Sequence, residues 1–249
     1  MSEFIGSGDL YIARYEDGVL MGELEVGDAD SFVINAPKVE KKELKSKQRA
    51  DYGRVIASVV IGITQDVKFT LMDINRENLR LALFGADAAE TQAEGSVTGE
   101  VLKTWQDRWA KLAKRSIKTT PAPTVTATDQ SATFAENTDY VLDTETGRVK
   151  TLSTGDIDDG ANVYVNYSHT ALSGGFRVRA NTETQTDVFI RLVGTNLNTK
   201  KPFEVVIWKL TLEPSASLEW LTNDFAKLEL SGQIISTPNG MWDYLEPGV

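Results

Sequence analysis

The sequence contains no cysteine and a single histidine, His169. Disulfide scaffolds, thiol nucleophiles and cysteine-ligated zinc or iron–sulfur centres are excluded by the first absence. Histidine-rich metal sites and paired-histidine zinc helices are excluded by the second. A Ser-His-Asp triad would have to use His169, which lies in residues 166–175, a stretch that reads as a strand running into a loop. The pattern there predicts an exposed polar residue at a strand end. Long apolar runs are also missing. The longest, about Ala57 to Ile63, suits a buried strand and falls far short of the ~20 residues a membrane span needs. The opening residues have no basic region followed by an apolar core, so no cleaved leader is expected.

Positive charge is in deficit. Lys and Arg number 26 against 36 Asp and Glu, for a net charge of −10, so the chain as a whole repels the phosphates that a nucleic-acid binder must grip. The deficit is uneven. Residues 38–54 carry a net +4, while residues 1–37 hold eight acids and one Arg, a net −7. Such segregation fits copies of the chain meeting head to tail, basic segment on acidic surface; a solvated basic loop is the plainer alternative.

What is present is a folded chain of 249 residues, 41% apolar and 25% charged, enough for one large domain or one domain with a modest insertion. The pattern is mainly β. Asp9 to Tyr15, Val19 to Val26 and Ser31 to Ala36 read as strands, the first two joined by a turn at Glu16-Asp17-Gly18. The charged segment 38–54 has almost no apolar periodicity and is predicted to project as a long loop or arm. From Ala57 to Leu71 apolar residues alternate with polar ones, which makes either one very long strand or two meeting around Thr64-Gln65-Asp66. A short packed helix follows at about 74–84, capped by Asp73 or Asn75 and closed by Gly85. Ala86 to Gly99 reads as a loop.

Residues 100–118 place Val101, Trp105, Trp109 and Leu112 at helical spacing, so pattern alone predicts a helix. Short alternating runs then fill 124–167, bounded by Pro121, Pro123 and Ser173-Gly174-Gly175, a small β insertion over 121–172 with a net −6 across 129–159. The acids of 153–160 lack the spacing and closing Glu of a calcium-binding loop. Longer strands return at Phe176 to Thr182, Asp187 to Val193, Phe203 to Leu212 and Ala226 to Ser236. Both faces of Phe203–Leu212 are apolar, so it reads as a central strand ended by Pro214. A turn-rich tail carrying Trp242 and Tyr244 closes the chain.

Four stretches, in this order, resemble the major tail protein, or tail tube protein, of long-tailed non-contractile bacteriophages. They are Gly22 to Phe32 with Lys41 to Ser46; Asp66 to Ile74 running into Glu77 to Gly85; residues 139–167; and Leu192 to Pro202 with Lys209 to Ser215. The resemblance implies a β-sandwich or half-barrel with one packed helix and a long projecting loop. On that likeness the tube domain is 1–120 with 173–249, and the insertion over 121–172, set off by its Pro and Gly boundaries, is expected on the outer surface. It also implies extended strands, rather than a helix, over 100–118.

In function, the resemblance implies a structural subunit of the virion tail, assembled in the bacterial host cytoplasm. Six copies form a ring, and rings stack into a hollow conduit that double-stranded DNA traverses without specific binding. The other implied partners are the tape measure, tail terminator and distal tail proteins. No enzyme activity and no cofactor are expected, although a paired-carboxylate hydrolase is the one enzyme reading that 36 acids leave open. Lys41, Lys42, Lys45, Lys47 and Arg49 are the candidate contact residues between rings, and the surface facing the lumen is expected to be richer in Asp and Glu than in Lys and Arg. The competing readings are a tail adaptor that forms one ring and does not polymerise, and a β-sandwich module that binds carbohydrate or protein through its tryptophans.

Overall fold

The computed structural model describes residues 3–213, 220–221 and 223–247. The protein is mainly β, with a single short helix among the described residues, and it divides into two compact units, residues 1–87 with 178–249, and residues 88–177.

The first unit opens with β1 (Gly6–Glu16), β2 (Val19–Leu20), β3 (Leu24–Glu25) and β4 (Ala29–Ile34). Asp17 and Gly18 both take positive φ, 49° and 78°, the geometry that folds one strand back on another with the natural twist. The single strand expected over Val19 to Val26 is broken into β2 and β3, each pairing a different part of β1. Then come β5 (Lys38–Lys45), β6 (Val55–Thr64), β7 (Asp66–Leu71) and α1 (Arg76–Ala82).

Asn75 caps α1, its side chain accepting the Asn78 amide at 2.9 Å. The helix makes two turns rather than three. Its chain reversal uses Phe84, at φ 48°, rather than Gly85. Gly85 is needed for space, because a Cβ there would sit 2.5 Å from the Arg179 carbonyl oxygen. Asn78 is fully buried and donates from Nδ2 to the carbonyls of Val26 and Asp73, both at 2.8 Å.

The intervening strands are β8 (Ala86–Gln92), β9 (Gly95–Lys103), β10 (Trp109–Lys111), β11 (Thr124–Ala127), β12 (Thr133–Phe134), β13 (Tyr140–Asp143), β14 (Arg148–Thr151), β15 (Asn162–His169) and β16 (Leu172–Arg179). Two features here correct the sequence reading. Ala86 to Gly99 is not a loop but β8 and the start of β9, and residues 100–118 contain no helix. The apparent helical spacing arises because Val101 and Trp109 fall on separate strands while Trp105 lies between them; all three are exposed. The second unit therefore begins before the predicted insertion boundary at 121, since β9 is the partner of β15.

That unit contains a four-stranded sheet, β12-β11-β15-β9, and a three-stranded sheet, β10-β14-β13. Its core gathers Leu112, Val125, Tyr140, Val149, Ile157 and Val165. Gly147, at φ 67°, closes the β13–β14 turn where the Lys114 carbonyl leaves no room for a Cβ.

The chain closes with β17 (Asp187–Asn196), β18 (Pro202–Glu213), β19 (Leu228–Ile234) and β20 (Trp242–Leu245). The main sheet of the first unit runs β2-β1-β17-β18-β19-β7-β4, with β20 on β18 and β3 on β1. β18 is central, as its two apolar faces predict; Pro214, expected to end it, lies outside the described residues. One face of the sheet packs on α1 through Leu10, Phe69, Ile190, Ile207, Leu210 and Leu228. β1 and β4, near the two ends of that order, both line one cleft, together with residues of β17, β18 and β20.

Candidate functional site

The segment that breaks the ordinary rule of burial is residues 38–64. Among the described residues β5 and β6 pair with each other and with no other strand. The expectation of a loop over 38–54 is corrected: its first half is a strand, and the loop is confined to Ser46–Arg54. Of the two alternatives for the long alternating segment, the second holds: two strands meet at Gln65, with β7 in the core and β6 in the arm. At ~3.4 Å per residue, the ten residues of β6 carry the arm roughly 30 Å.

Neither face of this arm is covered. Directly opposed residues share a face, which groups Lys42 with Val59 and Leu44 with Ala57 on one side, and Lys41 with Val60 and Val39 with Ile63 on the other. The ladder shifts between Glu40 and Lys41, leaving Ile61 without a direct partner. A shift of this kind moves one strand's side chains to the opposite face, and it spreads the predicted single apolar stripe over both. Val59 and Ile61 each remain 62% exposed, Ile56 64% and Leu44 62%. A globular subunit does not ordinarily leave such a ribbon in water.

The five predicted contact residues all lie on the arm and all are exposed. Lys41, Lys42 and Lys45 are on β5, with Lys41 and Lys42 on opposite faces; Lys47 and Arg49 are in the tip loop. They line the arm's length rather than forming one cluster. Lys45 approaches Glu43 at 3.9 Å; among the described residues the other four make no ion pair. The tip is ordered by its own backbone, with the Ser46 amide donating to the Arg54 carbonyl at 2.7 Å and the Gly53 amide to the Ser46 carbonyl at 2.9 Å. Tyr52, at the tip, is 81% exposed. Sequence reasoning missed Tyr52, Ile56 and Val60; an aromatic inside a charged, aperiodic loop was the available signal.

The base of the arm is the opposite of its tip. Gln65, the one residue between β6 and β7, is buried. Its Nε2 donates to the Asn35 carbonyl at 2.8 Å, and its Oε1 accepts from the Trp242 indole at 3.1 Å. The Asn35 amide donates to the Asp66 carbonyl, and the Ile234 amide to the Gln65 carbonyl. Lys38 pairs with Asp66 at 2.5 Å, and this hydrogen bond with its charge holds the ammonium above its usual pKa.

A second feature of the first unit is a cleft of about 940 Å³ between β1 and β4. Its floor includes Phe4, Phe32, Leu192 and Phe203, and its rim carries Asp9, Glu25, Asp28, Asp30 and Asp73, with no Lys or Arg among the lining residues. Asp30 is paired with Lys227 at 2.8 Å. The other four acids make no ion pair among the described residues.

His169 is not exposed as predicted. It ends β15 with 5% exposure, and its Nδ1 is buried without a partner, so no carboxylate orients the ring as a triad requires. Among the described residues no three His, Asp or Glu come together in a way that could hold a metal ion. Of the acids of 153–160, Asp159 accepts through Oδ1 from the distant Gln106 amide at 2.9 Å, and the Asp156 amide donates to Asp139 Oδ1 at 3.0 Å.

A family model described as protein of unknown function UCP028589 matches residues 3–241. The chain belongs to that family, and the match runs through both units. No curated protein matches the chain.

Proposed function

We propose that the protein is a self-assembling structural subunit: the tube protein of a long-tailed, non-contractile phage, closing into six-membered rings that stack into a conduit for DNA. The observation that carries this reading is the arm, a roughly 30 Å ribbon with aliphatic side chains on both faces and four unpaired cations. Burial of that ribbon requires other copies or another protein. The resemblance of the sequence to tail tube proteins selects other copies. A net charge of −10 suits a wall past which DNA must slide, because attraction repeated at every phosphate would hold it fast. In the virion the same subunit would meet the tape measure, tail terminator and distal tail proteins.

Electron microscopy of the concentrated, purified protein tests the reading. Stacked rings or tubes with a central hole wide enough for duplex DNA are the expected result. A protein that stays monomeric at every concentration by light scattering overturns it. Single rings that never stack would instead identify an adaptor.

A further inference from the structure

Nothing above says where an arm lands. We propose that the tip of the arm seats in the acidic cleft between β1 and β4 of another copy, with the Tyr52 ring on the aromatic floor and Lys45, Lys47 and Arg49 facing the rim. This rests on the self-assembly reading and adds the receiving surface to it.

Three observations converge on the pairing. The first is charge. Among the described residues, Asp9, Glu25, Asp28 and Asp73 at the rim and Lys47 and Arg49 at the tip make no ion pair. Both sets therefore carry uncompensated charge of opposite sign in the free subunit, the arrangement that steers two surfaces together. The second is shape and polarity. Exposed aromatic side chains set in polar surroundings are the usual anchors of protein interfaces, and Tyr52 is 81% exposed at a loop whose backbone is already hydrogen-bonded. The cleft offers an apolar floor containing two Phe rings in edge-on contact, Phe4 and Phe203 at 5.1 Å. The third is reach. The tip stands roughly 30 Å from the arm's base, and that base is fixed by the bonds around Gln65. β4 runs into the same base, so the subunit's own cleft lies at the near end of the arm while its tip is held at the far end.

The absence of cysteine makes the test clean. A chain carrying Arg49→Cys and Asp28→Cys is assembled and treated with a short bismaleimide, beside each single variant. A ladder of covalent oligomers from the double variant, and none beyond dimers from either single, is the expected result. In parallel, Lys47→Glu with Arg49→Glu, and separately Glu25→Lys with Asp28→Lys, should each lower sedimentable polymer more than tenfold. The chain with all four changes should recover it. Tyr52→Ala should raise the critical concentration more than tenfold. A double-cysteine chain that polymerises but gives no ladder, together with no recovery in the fourfold variant, overturns the cleft as the receiving surface and leaves self-assembly standing. A wild-type chain that never assembles overturns both.

Discussion

Replacing Val59 and Ile61 together by Thr should separate assembly from folding. Both side chains are 62% exposed in the subunit, so the folded monomer has little to lose. Threonine keeps the branched Cβ that suits a strand, and exposed substitutions of this kind change stability by about 0.5 kcal/mol or less. In a contact that excludes water, each introduced hydroxyl costs about 1–3 kcal/mol unless it finds a partner. Two such changes remove at least ~2 kcal/mol per subunit, and at ~1.4 kcal/mol per decade the critical concentration for assembly rises at least ~30-fold. Sedimentation across a concentration series measures the critical concentration, and thermal unfolding of dilute protein measures the monomer. An unchanged critical concentration would mean that these residues face water in the assembly as well. A drop of several degrees in the monomer's melting temperature would mean that the arm packs on its own subunit, and either result refutes the reasoning.

Asn78→Ala should destabilise the first unit by about 2–4 kcal/mol in urea unfolding, because it strips the donor from two carbonyls, those of Val26 and Asp73. Excision of residues 88–177 with a short Gly-Ser join should leave a folded, assembly-competent first unit, read by circular dichroism and microscopy. Excision of 121–172 should aggregate instead, because it removes β15 and leaves β9 as an unpaired edge. Thr146 and Arg148 hydrogen-bond the Asp143 carboxylate and hold its pKa well below the ordinary 3.8. A depressed folded pKa adds stability above the unfolded value that is lost as pH falls through the folded one. The wild type's melting temperature should therefore fall more steeply below about pH 4 than that of Asp143→Asn.

Where a strand has one wet face and one dry face, the sequence shows it. The alternation of β7, the two apolar faces of β18 and the Asn75 cap of α1 were all legible because burial imposes a period. The same physics explains the failures. β5 buries nothing in its own subunit, so its sequence carries no alternation and reads as loop; only the aliphatic run in β6 hinted at a partner strand. β8 is built of small and polar residues, and its identity comes from pairing with β16, which is 80 residues away and invisible to a local window. The spacing of Val101, Trp105 and Trp109 mimicked a helix because three exposed apolar residues happened to fall four apart. The basic character of the arm was legible from charge alone. The cleft was not, since its acids come from β1, the 25–30 segment and Asp73, which meet only through the long-range pairing of β3 with β1 and of β4 with β7.

The buried glutamine at the root of the arm has a mechanical consequence. A lever roughly 30 Å long converts a 10° tilt at its root into a displacement of about 5 Å at its tip, enough to take a side chain out of contact with anything it was meant to reach. Gln65 ties the two legs of that lever to each other through the Asn35 carbonyl and to the body through the Trp242 indole. The direction in which the arm points is therefore written into the subunit before it meets a neighbour. Under a sideways load on the tip, the covalent chain keeps the arm attached, while the Gln65 bonds and the Lys38–Asp66 pair resist its tilting.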